Sequence, residues 1–191
     1  TGSQLVASFT ASKVRWLADS EKANANRVAA IALPHDWLSW KLSGAKSIET
    51  LFTDRSDASG TGYFDSRKNE YCLDILATAI RTNQEIILPK IIAPNQFGTT
   101  STNSIPIAAG AGDNAGAALG LGASLGDLVI SLGTSGTAFA ISKSSTHDSS
   151  GEVAGFADAT GNFLPLACTL NAAKIFNTVA KSLSLSFEEF S

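Results

Sequence analysis

An α/β fold is the class that this 191-residue chain predicts. Short apolar runs alternate with stretches of helical periodicity, the mixture expected of strands covered by helices. Hydrophobic residues make up 44% and charged residues 16%, the latter well below the ~25% of an average soluble domain, so a sizeable core is expected and general disorder is excluded. Glycine gathers where apolar runs give way to other structure: eight of the sixteen glycines fall between Gly110 and Gly136.

The first predicted element is a helix over 9–22, where Val14, Leu17 and Ala18 recur at helical spacing and Thr10 is placed to cap the start. Asn24, Asn26 and Arg27 break that pattern, and 28–33 (VAAIAL) reads as a short buried strand. Pro34 suits a first helical turn, so a second helix runs through Asp36, Trp37, Leu38, Trp40 and Leu42 and closes at Gly44. Loop is expected over 47–55. Segment 53–61 (TDRSDASGT) concentrates capping side chains, and Gly60 and Gly62 point to a tight turn. Residues 71–81 form another amphipathic helix, and Pro89, Pro94, Gly98 and a run of Thr and Ser predict loop over 88–104.

Beyond that point the character changes. Between Ile105 and Ser142 only Asp113 and Asp127 are charged. The order predicted is strand (105–110), sharp turn (111–114), small-residue helix (115–122), strand (127–133), turn (134–136) and strand (137–142), the last pair a hairpin. Two further strands, 155–159 and 163–168, are joined by the hairpin turn Thr160-Gly161-Asn162. The last helix carries Ala172, Ile175, Phe176, Val179, Ala180 and Leu183 on one face, a stripe that reads as core.

Composition excludes several functions. Fourteen Lys+Arg against seventeen Asp+Glu leave a net charge of −3, which argues against nucleic acid or an anionic membrane as main partner. No apolar run approaches the ~20 residues that span a bilayer. Cys72 and Cys168 fit neither a disulfide framework nor a zinc spacing and read as buried apolar residues of a cytoplasmic protein. His35 and His147 have no ligand spacing around them, so no metal site is expected. Asp54 and Asp57 read as helix caps, and Lys13 with Trp16 as a structural contact on one helix face.

Two segments carry chemistry. Asp113 ends an apolar strand between Gly112 and Asn114, where small neighbours admit a ligand to the backbone and a carboxylate can serve as general base. The alternative is that it caps the helix. In 131–136 (SLGTSG) two glycines flank hydroxyl residues at a hairpin turn, which can present amides to an anion; the alternative is an ordinary turn. Together they supply what phosphoryl transfer to an alcohol requires of the protein, a base for the hydroxyl and donors for the phosphates.

Several segments taken together resemble one family. Residues 8–19 (SFTASKVRWLAD) are similar to the first signature of the FGGY carbohydrate kinases, with Ser20 departing from its usual final amide or acid. Residues 33–38 (LPHDWL) and 53–61 look like two further blocks. Residues 110–114 (GAGDN) resemble the catalytic block, 131–136 the phosphate-binding block and 155–159 (GFADA) the segment after it. The likeness runs along essentially the whole chain and is nearest to actinobacterial members acting on D-xylulose.

The resemblance implies a two-domain fold of the actin/Hsp70/sugar-kinase type, each domain built round a ribonuclease-H-like sheet and the two closing over a cleft. It implies that Asp113 is the general base, that Asp113 and Asn114 bind the sugar, and that Gly133 and Thr134 contact the phosphates of ATP. The reaction implied is ATP plus D-xylulose giving D-xylulose 5-phosphate and ADP, with Mg²⁺, in the cytoplasm and in an enzyme able to form a homodimer. The family's first phosphate loop and its late adenosine block are absent from this sequence. The chain therefore reads as an incomplete fragment, with 1–122 the latter part of the FGGY N-terminal domain and 123–191 the start of the C-terminal one, inactive alone. Another FGGY sugar or polyol kinase, or a non-catalytic nucleotide-dependent module of the same fold, are the rival readings.

Overall fold

The computed structural model describes residues 1–82 and 84–190. Helix α1 (Thr10–Ser20) turns Ala11, Val14 and Ala18 inward. Thr10 does not cap it: the N-cap is Phe9, and the Thr10 and Ala11 amides donate instead to the carbonyls of Gly60 and Thr61. Backbone from a distant turn thus satisfies the helix start. A single helical turn, α2 (Lys22–Ala25), follows. Segment 28–33 is not a buried strand. It is half-buried and forms one parallel bridge, Ala30 to Ile87, because its strand partner among the described residues is a short extended piece.

Helix α3 (Pro34–Leu42) starts at Pro34 as expected, and the chain leaves it through Gly44 at φ +70°. A 3₁₀ turn (Ile48–Thr50) leads into β1 (Phe52–Thr53), α4 (Arg55–Ser59), β2 (Phe64–Asp65), β3 (Glu70–Tyr71) and α5 (Leu73–Ile80). Ala11, Val14, Ala18, Tyr63, Leu76, Ala79 and Ile80 form the first core, where α1 lies on α5. The expected loop over 88–104 holds two strands, β4 (Lys90–Ile91) and β5 (Phe97–Thr100). β4 pairs in parallel with β1, and β5 pairs antiparallel with β6 (Pro106–Ala108).

Helix α6 (Asp113–Gly120) ends in a left-handed residue, Gly122 at φ +66°, with the Ala123 amide donating to the Ala118 carbonyl and the Gly122 amide to Leu119. That is a Schellman closure, for which glycine is the residue of choice. The remaining strands, β7 (Leu128–Leu132), β8 (Gly136–Ala140), β9 (Ala154–Ala157) and β10 (Phe163–Thr169), make one antiparallel sheet in the order β7-β8-β10-β9. Both expected hairpins are present. Ala118 of α6 joins Phe139, Ile141 and Leu164 in the second core.

Helices α7 (Ala173–Leu183) and α8 (Phe187–Phe190) close the chain. The α7 stripe is not core. Ala180 is buried, but Ile175, Phe176 and Leu183 are 50%, 45% and 58% exposed. The outward residues of β7, Leu128, Ile130 and Leu132, are exposed as well. The cysteines are free, Cys72 half-buried and Cys168 exposed near the end of β10, so neither is the buried residue expected.

Candidate active site

Asp54 is the N-cap of α4. Its Oδ1 accepts from the amides of Ser56 at 2.8 Å and Asp57 at 3.0 Å, satisfying two otherwise orphaned donors. The Ser56 hydroxyl donates to the same oxygen. That hydroxyl also accepts from the Gly112 amide at 2.8 Å, across 56 positions of sequence. One buried serine therefore fixes the residue that precedes Asp113.

Asp113 is the first residue of α6 and is exposed. Gly112 occupies the N-cap position, so the capping alternative for Asp113 does not describe this helix. Asp113 Oδ1 accepts from the Asn114 amide at 2.8 Å and from Asn114 Nδ2 at 3.0 Å. Its Oδ2 accepts nothing among the described residues. Asn114 Oδ1 in turn accepts from Thr137 Oγ1 at 3.0 Å, which ties the head of α6 to β8. Ser56, Asp57, Gly112, Asp113 and Asn114 line a cleft of about 210 Å³, with Phe156 and Leu164 as its apolar side.

Gly133 and Thr134 lie on the exposed β7–β8 turn, on the same hairpin as Thr137, but they do not line that cleft. The expectation of open amides there needs correction. The Gly133 amide donates to the Ser135 carbonyl at 2.9 Å and is spent within the turn. The carbonyls of Gly133 and Thr134 receive the Ala173 and Ala172 amides, pinning the start of α7. What remains to face a ligand is the Thr134 hydroxyl with the amides of Thr134 and Ser135, none of which has a partner among the described residues.

Sequence reasoning missed the other wall. Asp57 is not a cap; it borders the cleft beside Asp54. Burial, then the neighbouring Asp54 charge, pushes its carboxyl up to about 7. His35 stands against the same group, 3.5 Å from Asp57 Oδ2, and its imidazole is raised by the Asp36 side chain, with burial opposing. Asp36 Oδ1 is 2.8 Å from His35 Nε2 but off the line of a hydrogen bond. No ligand spacing surrounds His35 in the sequence, but folding gathers residues 35, 54 and 57, which no local spacing announces. Lys13 does make a structural contact, donating to the Ala7 and Ser8 carbonyls, whereas Trp16 is largely exposed.

The chain as a whole is similar to proteins of known kind. The chain is 44% identical to the xylulose kinase of Streptomyces coelicolor over 98% of its own length, and spans 39% of that protein. Against the crystal structure of xylulose kinase from Bifidobacterium adolescentis it superposes with a TM-score of 0.91 at 43% identity, covering 98% of this chain and 43% of the other. The glycerol kinase of Plasmodium falciparum, at 19% identity, shares the fold with a TM-score of 0.77 over 95% of this chain and 38% of that one. The architecture is that of the actin-like sugar kinases. Residues 1–120 fit the pattern described as the N-terminal domain of the FGGY family of carbohydrate kinases, and to that family the chain belongs.

Proposed function

We propose that this chain is the central part of an ATP-dependent kinase that converts D-xylulose to D-xylulose 5-phosphate, with Asp113 as general base. The observation that carries the reading is the setting of Asp113. Its carboxylate is exposed at a cleft, with one oxygen held by Asn114 and the other uncommitted, on a turn anchored by Ser56. The xylulose kinases that the chain resembles supply the substrate. A boundary between the two domains at Gly122 is part of the proposal, supported by the Schellman closure that ends α6 there.

The chemistry follows from these positions. The sugar hydroxyl gives its proton to Asp113 Oδ2 as its oxygen bonds to the γ-phosphorus of ATP. The bond from that phosphorus to the bridging oxygen breaks, and its electron pair leaves with ADP. Asn114 holds Asp113 through Oδ1 and is itself braced by Thr137, so the free oxygen keeps its aim. Thr134, through its hydroxyl and amide, and the Ser135 amide are the donors offered to the nucleotide phosphates, a site that works without Lys or Arg. Residues 131–136 include no carboxylate, so this segment offers no carboxylate ligand to Mg²⁺.

A coupled ADP-release assay of the full-length kinase against a panel of ketoses and polyols tests the reading. D-xylulose is expected to give the highest kcat/KM. Asp113→Ala is expected to lower kcat by ~10²–10⁴, the range for a lost general base, with ATP affinity retained. Thr134→Val is expected to weaken ATP use without changing sugar affinity. Preference for another polyol reassigns the substrate, and an Asp113→Ala enzyme within a few-fold of wild type removes Asp113 from the mechanism.

A further inference from the structure

Three carboxylates converge on one imidazole beside the cleft. His35 Nε2 lies 2.8 Å from Asp36 Oδ1, 3.7 Å from Asp54 Oδ2 and 3.5 Å from Asp57 Oδ2. The side chains of Asp36 and Asp54 are only 1% and 4% exposed. Their second oxygens are satisfied, Asp36 Oδ2 by the Leu33 amide and Asp54 Oδ1 by the start of α4. Asp36 Oδ1 and Asp54 Oδ2 are buried and accept no hydrogen bond, although both face His35. No Lys or Arg among the described residues lies within ion-pair distance of any of the three acids. A buried anionic oxygen without donor or counter-charge is costly, and a native fold normally supplies one or the other. His35 offers at most one positive charge against as many as three negative ones.

The geometry suits a metal. One ligand atom each from His35, Asp54 and Asp57 lie within 4.8 Å of one another. Donors held about 2.0–2.2 Å from a common ion stand roughly 3–4 Å apart, so the separations from His35 need little adjustment. A β-carbon on Gly110 would come within 3.1 Å of Asp54 Oδ2 and 3.5 Å of the His35 ring, so glycine keeps the space beside them open. Asp57 also borders the cleft, which gives an ion a way in. An imidazole nitrogen among carboxylates is the donor set of first-row divalent ions rather than of Mg²⁺ or Ca²⁺, which favour oxygen throughout.

We propose that His35, Asp54 and Asp57, with Asp36 alongside, form a binding site for a first-row divalent cation of the Mn²⁺ or Zn²⁺ class, behind the wall that carries Asp113. The competing way to balance the charge is proton uptake by the cluster, and the experiment separates the two. Nucleotide-free full-length kinase, stripped with chelator, is titrated with Mn²⁺ near neutral pH, free Mn²⁺ being followed by its EPR signal, with Zn²⁺ as competitor. The expected result is one site per polypeptide that Zn²⁺ displaces, weakened at least tenfold in His35→Ala and in Asp57→Asn but unchanged in Asp113→Asn. Pulsed EPR of the wild-type Mn²⁺ complex is expected to show modulation from a directly bound imidazole nitrogen, a readout that depends on no variant folding. Binding absent up to about 1 mM, affinity unaltered by both cluster variants, or no nitrogen modulation overturns the proposal. Loss of kinase activity in Asp113→Asn with the Mn²⁺ site intact keeps this question apart from that of the base.

Discussion

The hydroxyl of Ser56 holds more of the site than its size suggests. It donates to Asp54 and accepts from the Gly112 amide, so a serine in α4 sets the backbone from which Asp113 departs. Ser56→Ala removes both bonds and leaves the half-buried Gly112 amide without this partner, at a cost of ~1–3 kcal/mol. In the full-length kinase kcat is expected to fall about tenfold with the KM for ATP unchanged, and Ser56→Thr is expected to restore most of the loss, as suits a positioning residue. Equal losses in kcat and in ATP affinity would instead point to general unfolding. This bond was not legible beforehand: the string 53–61 announces caps, and Asp54 is one, but nothing local says that Ser56 reaches Gly112. Asp113 stood out as a lone acid among small residues, yet those residues alone left helix capping open, and only the placement of Gly112 as N-cap removes it. The spent amide of Gly133 was not legible, since the internal bonding of a turn depends on dihedral angles that Ser, Gly and Thr all tolerate.

Among the elements, those with strong local signals match expectation. α1 and α5 follow their apolar periodicity, α3 its Pro34 start and Gly44 exit, α7 its helical period though not its expected burial, and the hairpins β7–β8 and β9–β10 their turn residues. Segment 28–33 failed because an apolar run becomes a strand only when a neighbour of equal length pairs with it, and Ile87 provides one bridge. β4 and β5 were hidden because Thr, Ser and Pro read as loop while their partners lie in other segments. One loop has a testable pH dependence. Asp148 accepts from the Ser150 hydroxyl and from the amides of Ser150, Glu152 and Val153, which hold its carboxyl down at about 2. A depressed folded pKa adds stability that is present above the ordinary carboxylate value and disappears as pH falls toward 2. Amide exchange over 148–153 is therefore expected to quicken, relative to the rest of the chain, between about pH 4 and pH 2, and Asp148→Ala to abolish that step. Uniform protection through that window would dissociate the carboxylate from the loop's order.

At the scale of the whole molecule, apolar surface remains uncovered. β7 is an edge strand whose outward Leu128, Ile130 and Leu132 are 64%, 62% and 62% exposed, and the α7 stripe is bare besides. An unpaired edge with apolar side chains invites association. The 191-residue polypeptide on its own is expected to bind anilinonaphthalene sulfonate and to show a concentration-dependent mass by light scattering, with Ile130→Lys reducing both. A dye-silent monomer at all concentrations would mean that these faces find cover within the chain. None of its described helices is long and apolar enough to cross a membrane.

The opposite margin of the same sheet is fastened down. The Gly155 amide of β9 reaches Gly2 and Ser3, its carbonyl receives the Ser66 hydroxyl, and the Ala157 amide donates to Ser59. β7, at the unfastened margin, lies three strand spacings away, about 14 Å from these anchors. A swing of roughly 10° about the fastened margin carries the far strand through about 2.5 Å, close to the length of one hydrogen bond. Such a swing would move β8 as well, and because Thr137 on β8 holds Asn114, the head of α6 would travel with the hairpin rather than apart from it.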